Sequence, residues 1–216
     1  MQKDPGIQSF ASSKGEDQEL WGGNYINIAS SCKILGLQIV INGNNNRINI
    51  EDKCLIGPNS LIFITGDNNF LSIGANSSFS GEARFVVEEG CKMVIKEECL
   101  CGIQVCFRTS DGHPLFNETG KRINPPKDVV IERHVWIGQR ATILKGVHLA
   151  EDSMVGTMSL VNRPFREPKS LIAGIPAKHI RTGISWQFEL YGGKGCVYIE
   201  FIWQTTFHEE YSLCFC

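Results

Sequence analysis

The chain has 216 residues, 42% of them hydrophobic and 20% charged, with a formal net charge of −2. That length suits one domain with a sizeable core. The balanced charge offers no field to draw in nucleic acid or anionic lipid, and no apolar run is long enough to span a bilayer, so neither partner is expected.

The N-terminus, "MQKDPGIQSFASSKGEDQEL", has early acidic residues, a proline and no apolar core. It is not a secretory signal, and a cytoplasmic location is expected. Residues 1–23 are polar and read as a cap on the first repeat or a partly disordered segment. The nine cysteines are odd in number, widely spread and without a CxxC pair. That argues against a disulfide framework, and "CLC" and "CFC" have poor spacing for zinc.

A repeat begins near Ile28. "NINIASSC", "RINIEDKC", "FLSIGANS" and "MVIKEEC" align on Ile28, Ile50, Ile73 and Ile95, spaced 22, 23 and 22 residues apart. Four residues after each isoleucine stands Cys32, Cys54, Ser77 or Cys99. The cysteines fill a small inward slot, as free cysteine does in cores, and a metal role for them is not expected. From Ile131 the period tightens to six: Ile131, Ile137, Ile143, Leu149, Val155 and Val161. Two residues before each later member come Val135, Ala141, Val147, Ser153 and Ser159, all compact. An offset of two puts both residues on one side of a strand. Gly138 and Gly156 follow their aliphatic residues, where a backbone bend suits them. Neither helix nor hairpin requires a period of six, whereas coils stacked with parallel strands on their sides do. The fold class is therefore all-β.

Residues 108–128 interrupt the repeat with a Gly-, Pro- and Asn-rich loop. It carries "RTSDGHPLFN" and hence His113. Catalytic residues concentrate on loops held by rigid frames, and a neutral imidazole can take a proton from a hydroxyl. The residues alone leave His113 open between a turn histidine and a general base. Asp111 reads mainly as a turn residue. Trp136 lies between inward Val135 and Ile137 and so points outward, to a subunit interface or the wall of a cleft. His134, His148 and His179 read as solvated surface residues. Lys145, Arg163, Lys178 and Arg181 read as surface cations that together could clamp phosphates. No Walker motif or GxGxxG occurs. Residues 162–168 break the repeat again, and after Arg181 the pattern is lost. "CVYIEFIWQTTF" is a possible strand in a C-terminal extension, 187–216, for which no role is read.

The series "VVIERHVWIGQRATILKGVHLAEDSMVGTMSLV", followed by "IAGIPAKHIR", resembles the hexapeptide-repeat acyltransferases over roughly Ile28 to Trp186. "TSDGHPLFNETGKRINPPKDVVI" looks most like the bacterial capsular-polysaccharide O-acetyltransferases, including those acting on sialic acid. The resemblance implies a left-handed parallel β-helix over 24–186, with the insertion loop at 108–128. It implies a homotrimer with active sites between subunits, acetyl-CoA as donor, a saccharide acceptor and no metal. His113, of the "HP" pair, falls at the family's general base, and Trp136 of "VWIG" at its acyl site. Coenzyme A contacts fall on Trp136, Gln139, Thr157, Asn162, Arg163, Lys178 and Arg181, with Lys145 of "ILKG" a further candidate. Thr157 and Met158 depart from the small residues usual there. The implied activity is sugar O-acetylation. The alternatives are N-acetylation of an amino sugar nucleotide, a zinc hydratase on the same fold, and a non-catalytic scaffold.

Overall fold

The computed structural model describes residues 18–188. The proposed strand in "CVYIEFIWQTTF", His208 and most of the terminal segments lie outside the described residues. The chain divides into one unit over 1–186 and another over 187–216.

The repeats build three sheets whose strands recur in rotation, so that each coil contributes one strand to each face. On face 1, Ile28 pairs with Ile50, Ile50 with Ile73, Ile73 with Ile95, Ile95 with Ile131, and Ile131 with Leu149, all in parallel. This is the isoleucine column of the sequence. In the later coils Val130 pairs with His148, Trp136 with Met154 and Thr142 with Leu160. Each partner is eighteen residues on, three periods of six. The longer early period has a local cause. On face 3 the first strands, Leu37–Asn42 and Ser60–Thr65, have six residues each, whereas Thr142–Ile143 has two. Face 1 shares the lengthening: Arg47–Ile50 and Phe70–Ile73 have four residues each, whereas His148–Leu149 has two.

The inward slots are filled as their size predicts. Ile131, Val135, Ile137, Ala141, Ile143, Leu149 and Val155 are fully buried, and Val147 and Ser159 nearly so. Cys54 and Cys99 lie in the column of small residues, where each thiol donates to a carbonyl of the following coil, Gly74 at 3.2 Å and Glu132 at 3.3 Å. Ser77 does the same towards Lys96 at 3.1 Å. Burial pushes the Cys54 and Cys99 thiols up to about 12, so they stay protonated and act as packing groups.

The period of six has a backbone origin. His134, Arg140, Gly146, Asp152 and Met158 all have φ between 53° and 77° and stand six residues apart, one at each corner. Gly138 works differently from the expected bend: a Cβ there would meet the Thr157 backbone nitrogen at 2.6 Å. Its hydrogen is required by the close approach of the next coil.

Both ends carry antiparallel additions. Gln18–Leu20 pairs with the strand Asn24–Ile28 across the turn Trp21–Gly23. Ala177–Arg181 folds back on Leu171–Gly174. Between residues 162 and 168 the break is only partial, because Phe165 is buried and bridges to Leu149. No helix among the described residues is long and apolar enough to cross a membrane.

Gly138→Ala and Gly120→Ala separate the two uses of glycine. Gly120 has φ +74° and nothing within 4 Å of an added Cβ, so its substitution should cost about 1 kcal/mol from backbone strain alone. Gly138→Ala must push two coils apart and should cost about 2–3 kcal/mol in urea unfolding. Equal losses would contradict the assignment.

Candidate active site

Phe79, Phe85 and Phe107 are fully buried and pack together, with Phe85 and Phe107 stacked at 5.5 Å between ring centroids. Phe107 thus sits in a rigid aromatic core two residues before Thr109, at the base of the insertion. The insertion is closed at its base, where the Lys127 N–H donates to the Thr109 carbonyl at 2.9 Å. Its tip is a short hairpin. Phe116 and Arg122 form an antiparallel bridge, and the Ile123 N–H donates to the Leu115 carbonyl. What the sequence presents as an irregular loop is therefore an ordered projection from the corner between faces 3 and 1.

Two side-chain clusters hold it. In the first, the Arg122 guanidinium forks onto both oxygens of Glu89 at 2.5 and 2.9 Å, and the Ser110 hydroxyl donates to the same carboxylate at 2.5 Å. These donors, Arg122 foremost, hold the Glu89 carboxyl down at about 2. In the second, Asn124 donates to Asp111 at 2.9 Å and to the His113 carbonyl at 2.8 Å, and accepts from the Leu115 N–H at 2.6 Å. Lys145, from the next coil, donates to Asp111 at 2.5 Å and to the Asn124 carbonyl at 3.1 Å. The Lys145 ammonium, first among the causes, lowers the Asp111 carboxyl. Asp111 is thus an ion-pair member as well as a turn residue. His113 itself is exposed, and none of the described residues hydrogen-bonds its imidazole.

Trp136–Ile137 is a strand of the eight-stranded sheet, face 2, and Trp136 points outward from it, 36% exposed. Its ring centroid lies 6.1 Å from that of Trp186, which returns along the neighbouring corner. Trp186 stacks on His134 at 4.0 Å and donates its indole N–H to the His134 carbonyl. The His134 Nδ1 meets Asp152 at 2.9 Å. His148 lies between Glu132 at 3.0 Å and Arg166 at 3.0 Å. Both rings lie off the core, as turn or surface residues do, but both are engaged. His179 keeps only a 3.9 Å approach to Glu167. Among the described residues no group of three or more His, Cys, Asp or Glu is placed to hold a metal ion.

The remaining sequence candidates fall on two corners. Gln139 and Thr157 are exposed on successive coils at the corner between faces 2 and 3, linked where the Met158 N–H donates to the Gln139 carbonyl at 2.8 Å. Lys178 and Arg181 are exposed on the antiparallel strand at the end of face 2. Asn162 and Arg163 are exposed at the corner between faces 3 and 1, one coil beyond Lys145, with the Arg163 guanidinium 5.1 Å from the Phe165 ring centroid. Face 3 separates the two groups. Gln139 and Lys145 are six residues apart, up to ~20 Å along an extended strand.

No protein-family model matches the chain. A polysialic acid O-acetyltransferase of Neisseria meningitidis is 34% identical over 188 residues, covering 78% of this chain and 87% of that protein. Two crystal structures of polysialic acid acetyltransferases superpose on it. OatWY does so with a TM-score of 0.64 and 32% identity over 78% of this chain and 89% of that one. NeuO gives 0.60 and 30% over 76% and 85%. The chain belongs to the hexapeptide-repeat acyltransferases. Its fold is the left-handed parallel β-helix that the resemblance implies, and it is an acetyltransferase. Acetyl-CoA is the donor that goes with membership of these acyltransferases.

Sequence reasoning missed Asn124, Glu89, Arg122 and Trp186. The first three act on partners 9 to 33 residues away, which no local pattern signals. Trp186 had a weak signal as a large aromatic at the edge of the resemblance.

The Glu89 cluster makes a pH prediction. Its folded carboxyl, at about 2, lies below its ordinary 4.5. The stability it contributes is therefore full above pH 4.5 and is lost as pH falls towards 2. Urea unfolding should show Glu89→Gln less stable than the native chain at pH 7, with the gap closing as pH falls from 4.5 towards 2. A gap independent of pH would contradict the role of the charge.

Proposed function

We propose that this acetyltransferase moves the acetyl group of acetyl-CoA to a hydroxyl of a sugar in a capsular or other surface polysaccharide, sialic acid being the favoured acceptor, with His113 as general base. One observation carries the assignment of the base. His113 presents an unpartnered, exposed imidazole from a loop whose main chain is held at Gly112, at its own carbonyl and at Leu115. The named activities of the N. meningitidis, OatWY and NeuO proteins support the acceptor class.

In this reading a ring nitrogen of His113 takes the proton of the sugar hydroxyl as the oxygen attacks the thioester carbonyl carbon. The carbonyl pair moves onto oxygen, where a backbone N–H stabilises it; such a donor is worth about a hundredfold or more in rate. When the tetrahedral centre collapses, the C–S bond breaks. The leaving sulfur takes the proton back from the imidazolium, and no covalent enzyme intermediate forms.

Trp136 lines the acyl site, and Gln139, Thr157 and Asn162 flank the donor's path. Arg163, Lys178 and Arg181 suit its phosphates: they are exposed and in no ion pair among the described residues. Because the base and the Trp136 group occupy different corners of one chain, the reading assigns each site to two copies, in a homotrimer. A cytoplasmic location fits the donor.

His113→Ala should lower turnover by about 10²–10⁴ while titration calorimetry shows acetyl-CoA still bound. Near-normal turnover would falsify the assignment. Mixed oligomers of His113→Ala and Trp136→Ala chains should regain part of the activity that each variant alone lacks. No recovery after verified chain exchange would place both residues in one copy's site.

A further inference from the structure

We infer that Lys145, Asp111 and Asn124 form a strut that positions His113, and that Lys145 is a positioning residue instead of a coenzyme A contact. The inference rests on His113 being the base.

Lys145 leaves the strand Thr142–Ile143, which is paired on one side with Cys106 and Phe107 and on the other with Leu160 and Val161. The next residue is fixed too, since the Gly146 N–H donates to the Asp128 carbonyl at 3.0 Å. The lysine stem is therefore rooted in the coil stack. Its side chain is only 18% exposed. Both acceptors of its ammonium lie on the insertion: the Asp111 carboxylate and the Asn124 carbonyl. A half-sheltered charge needs such partners, and a phosphate would have to displace them. Arg163, Lys178 and Arg181 face no such competition.

Asn124 converts this anchor into a constraint on the base. Its amide oxygen takes the Leu115 N–H, and its amide nitrogen serves Asp111 and the His113 carbonyl. One donor and two acceptors around the amide leave a single sensible orientation. The chain is thus pinned at residues 111, 113 and 115, through the main chain at the last two. The imidazole is left unbonded while its backbone is fixed. Misplacing a catalytic group by about 1 Å costs on the order of a hundredfold in rate, so this fixation matters to turnover more than to folding.

The test uses the full chain with Lys145→Met, Asp111→Asn and their double variant. Turnover should fall by about 30- to 100-fold in each, with the dissociation constant for coenzyme A changed by less than about twofold. The double variant should be no worse than the poorer single one, because both break one unit. Amide hydrogen exchange of Leu115 should quicken by at least about tenfold as its acceptor loosens. Asp111→Asn preserves side-chain volume, so it carries the test if Lys145→Met folds poorly. Coenzyme A binding weakened more than about tenfold by Lys145→Met, with Asp111→Asn neutral, would make Lys145 a donor contact and overturn the strut. Unchanged Leu115 exchange with turnover within about threefold would overturn it as well. If the native chain acetylates no saccharide, the acceptor assignment fails, while Leu115 exchange and coenzyme A binding still judge the strut.

Discussion

In a parallel coil no strand can satisfy its own backbone. Inside the stack the N–H and C=O groups of a strand are met by the coils before and after, as in the run from Ile28 to Leu149 on face 1. An unpaired buried amide costs about 1–3 kcal/mol, so a slip of one residue would forfeit many bonds together. It would also turn the isoleucines outward. This shared register explains why the slots beside Ile131 to Val161 admit only small side chains. It also explains why a residue with positive φ recurs every six positions. A non-glycine corner such as His134, Arg140, Asp152 or Met158 costs about 1–2 kcal/mol. A buried isoleucine or valine in each unit returns about 1.5–3 kcal/mol, which is enough to sustain the sequence at those corners.

The same register tolerates the insertion. Ile95 pairs with Ile131 and Cys101 with Ile137 as though the intervening chain were absent. Because Thr109 and Lys127 meet at its base, the added segment spans almost no gap, and the entropy of a closed loop grows only slowly with length. Chemistry can therefore be added at this corner without disturbing the stack. The stack in turn lends its rigidity, through the buried Phe107 on one side and Lys145 on the other.

The scaffold was legible in the sequence because it is periodic. The isoleucine column, the compact slots, the packing cysteines and the outward turn of Trp136 all follow from counting positions. Gly138 shows the limit: the count located it, but only the next coil explains why it must be glycine. The site was legible in part, through the "HP" pair and "VWIG". Its supports were not. Lys145 and Asp111 are 34 positions apart, as different in setting as a coil corner and a turn. Nothing local distinguishes a lysine that braces a loop from one that meets solvent. The partner of His134 was missed for a related reason, since Trp186 is 52 positions away.

The hairpin tip ties the scaffold to the proposed assembly. Leu115, Phe116 and Ile123 are each more than half exposed, two of them within three residues of His113. Soluble single chains seldom present three large apolar groups on one small projection, because each leaves about 1.5–3 kcal/mol of burial unclaimed. The strut forbids relief by folding the tip back, because Asn124 holds the Leu115 N–H and the His113 carbonyl together. The proposed trimer gives that tip a second copy to meet, and with it a Trp136 corner for the first copy's His113. On that account the constraint that places the base also makes the isolated chain an incomplete enzyme.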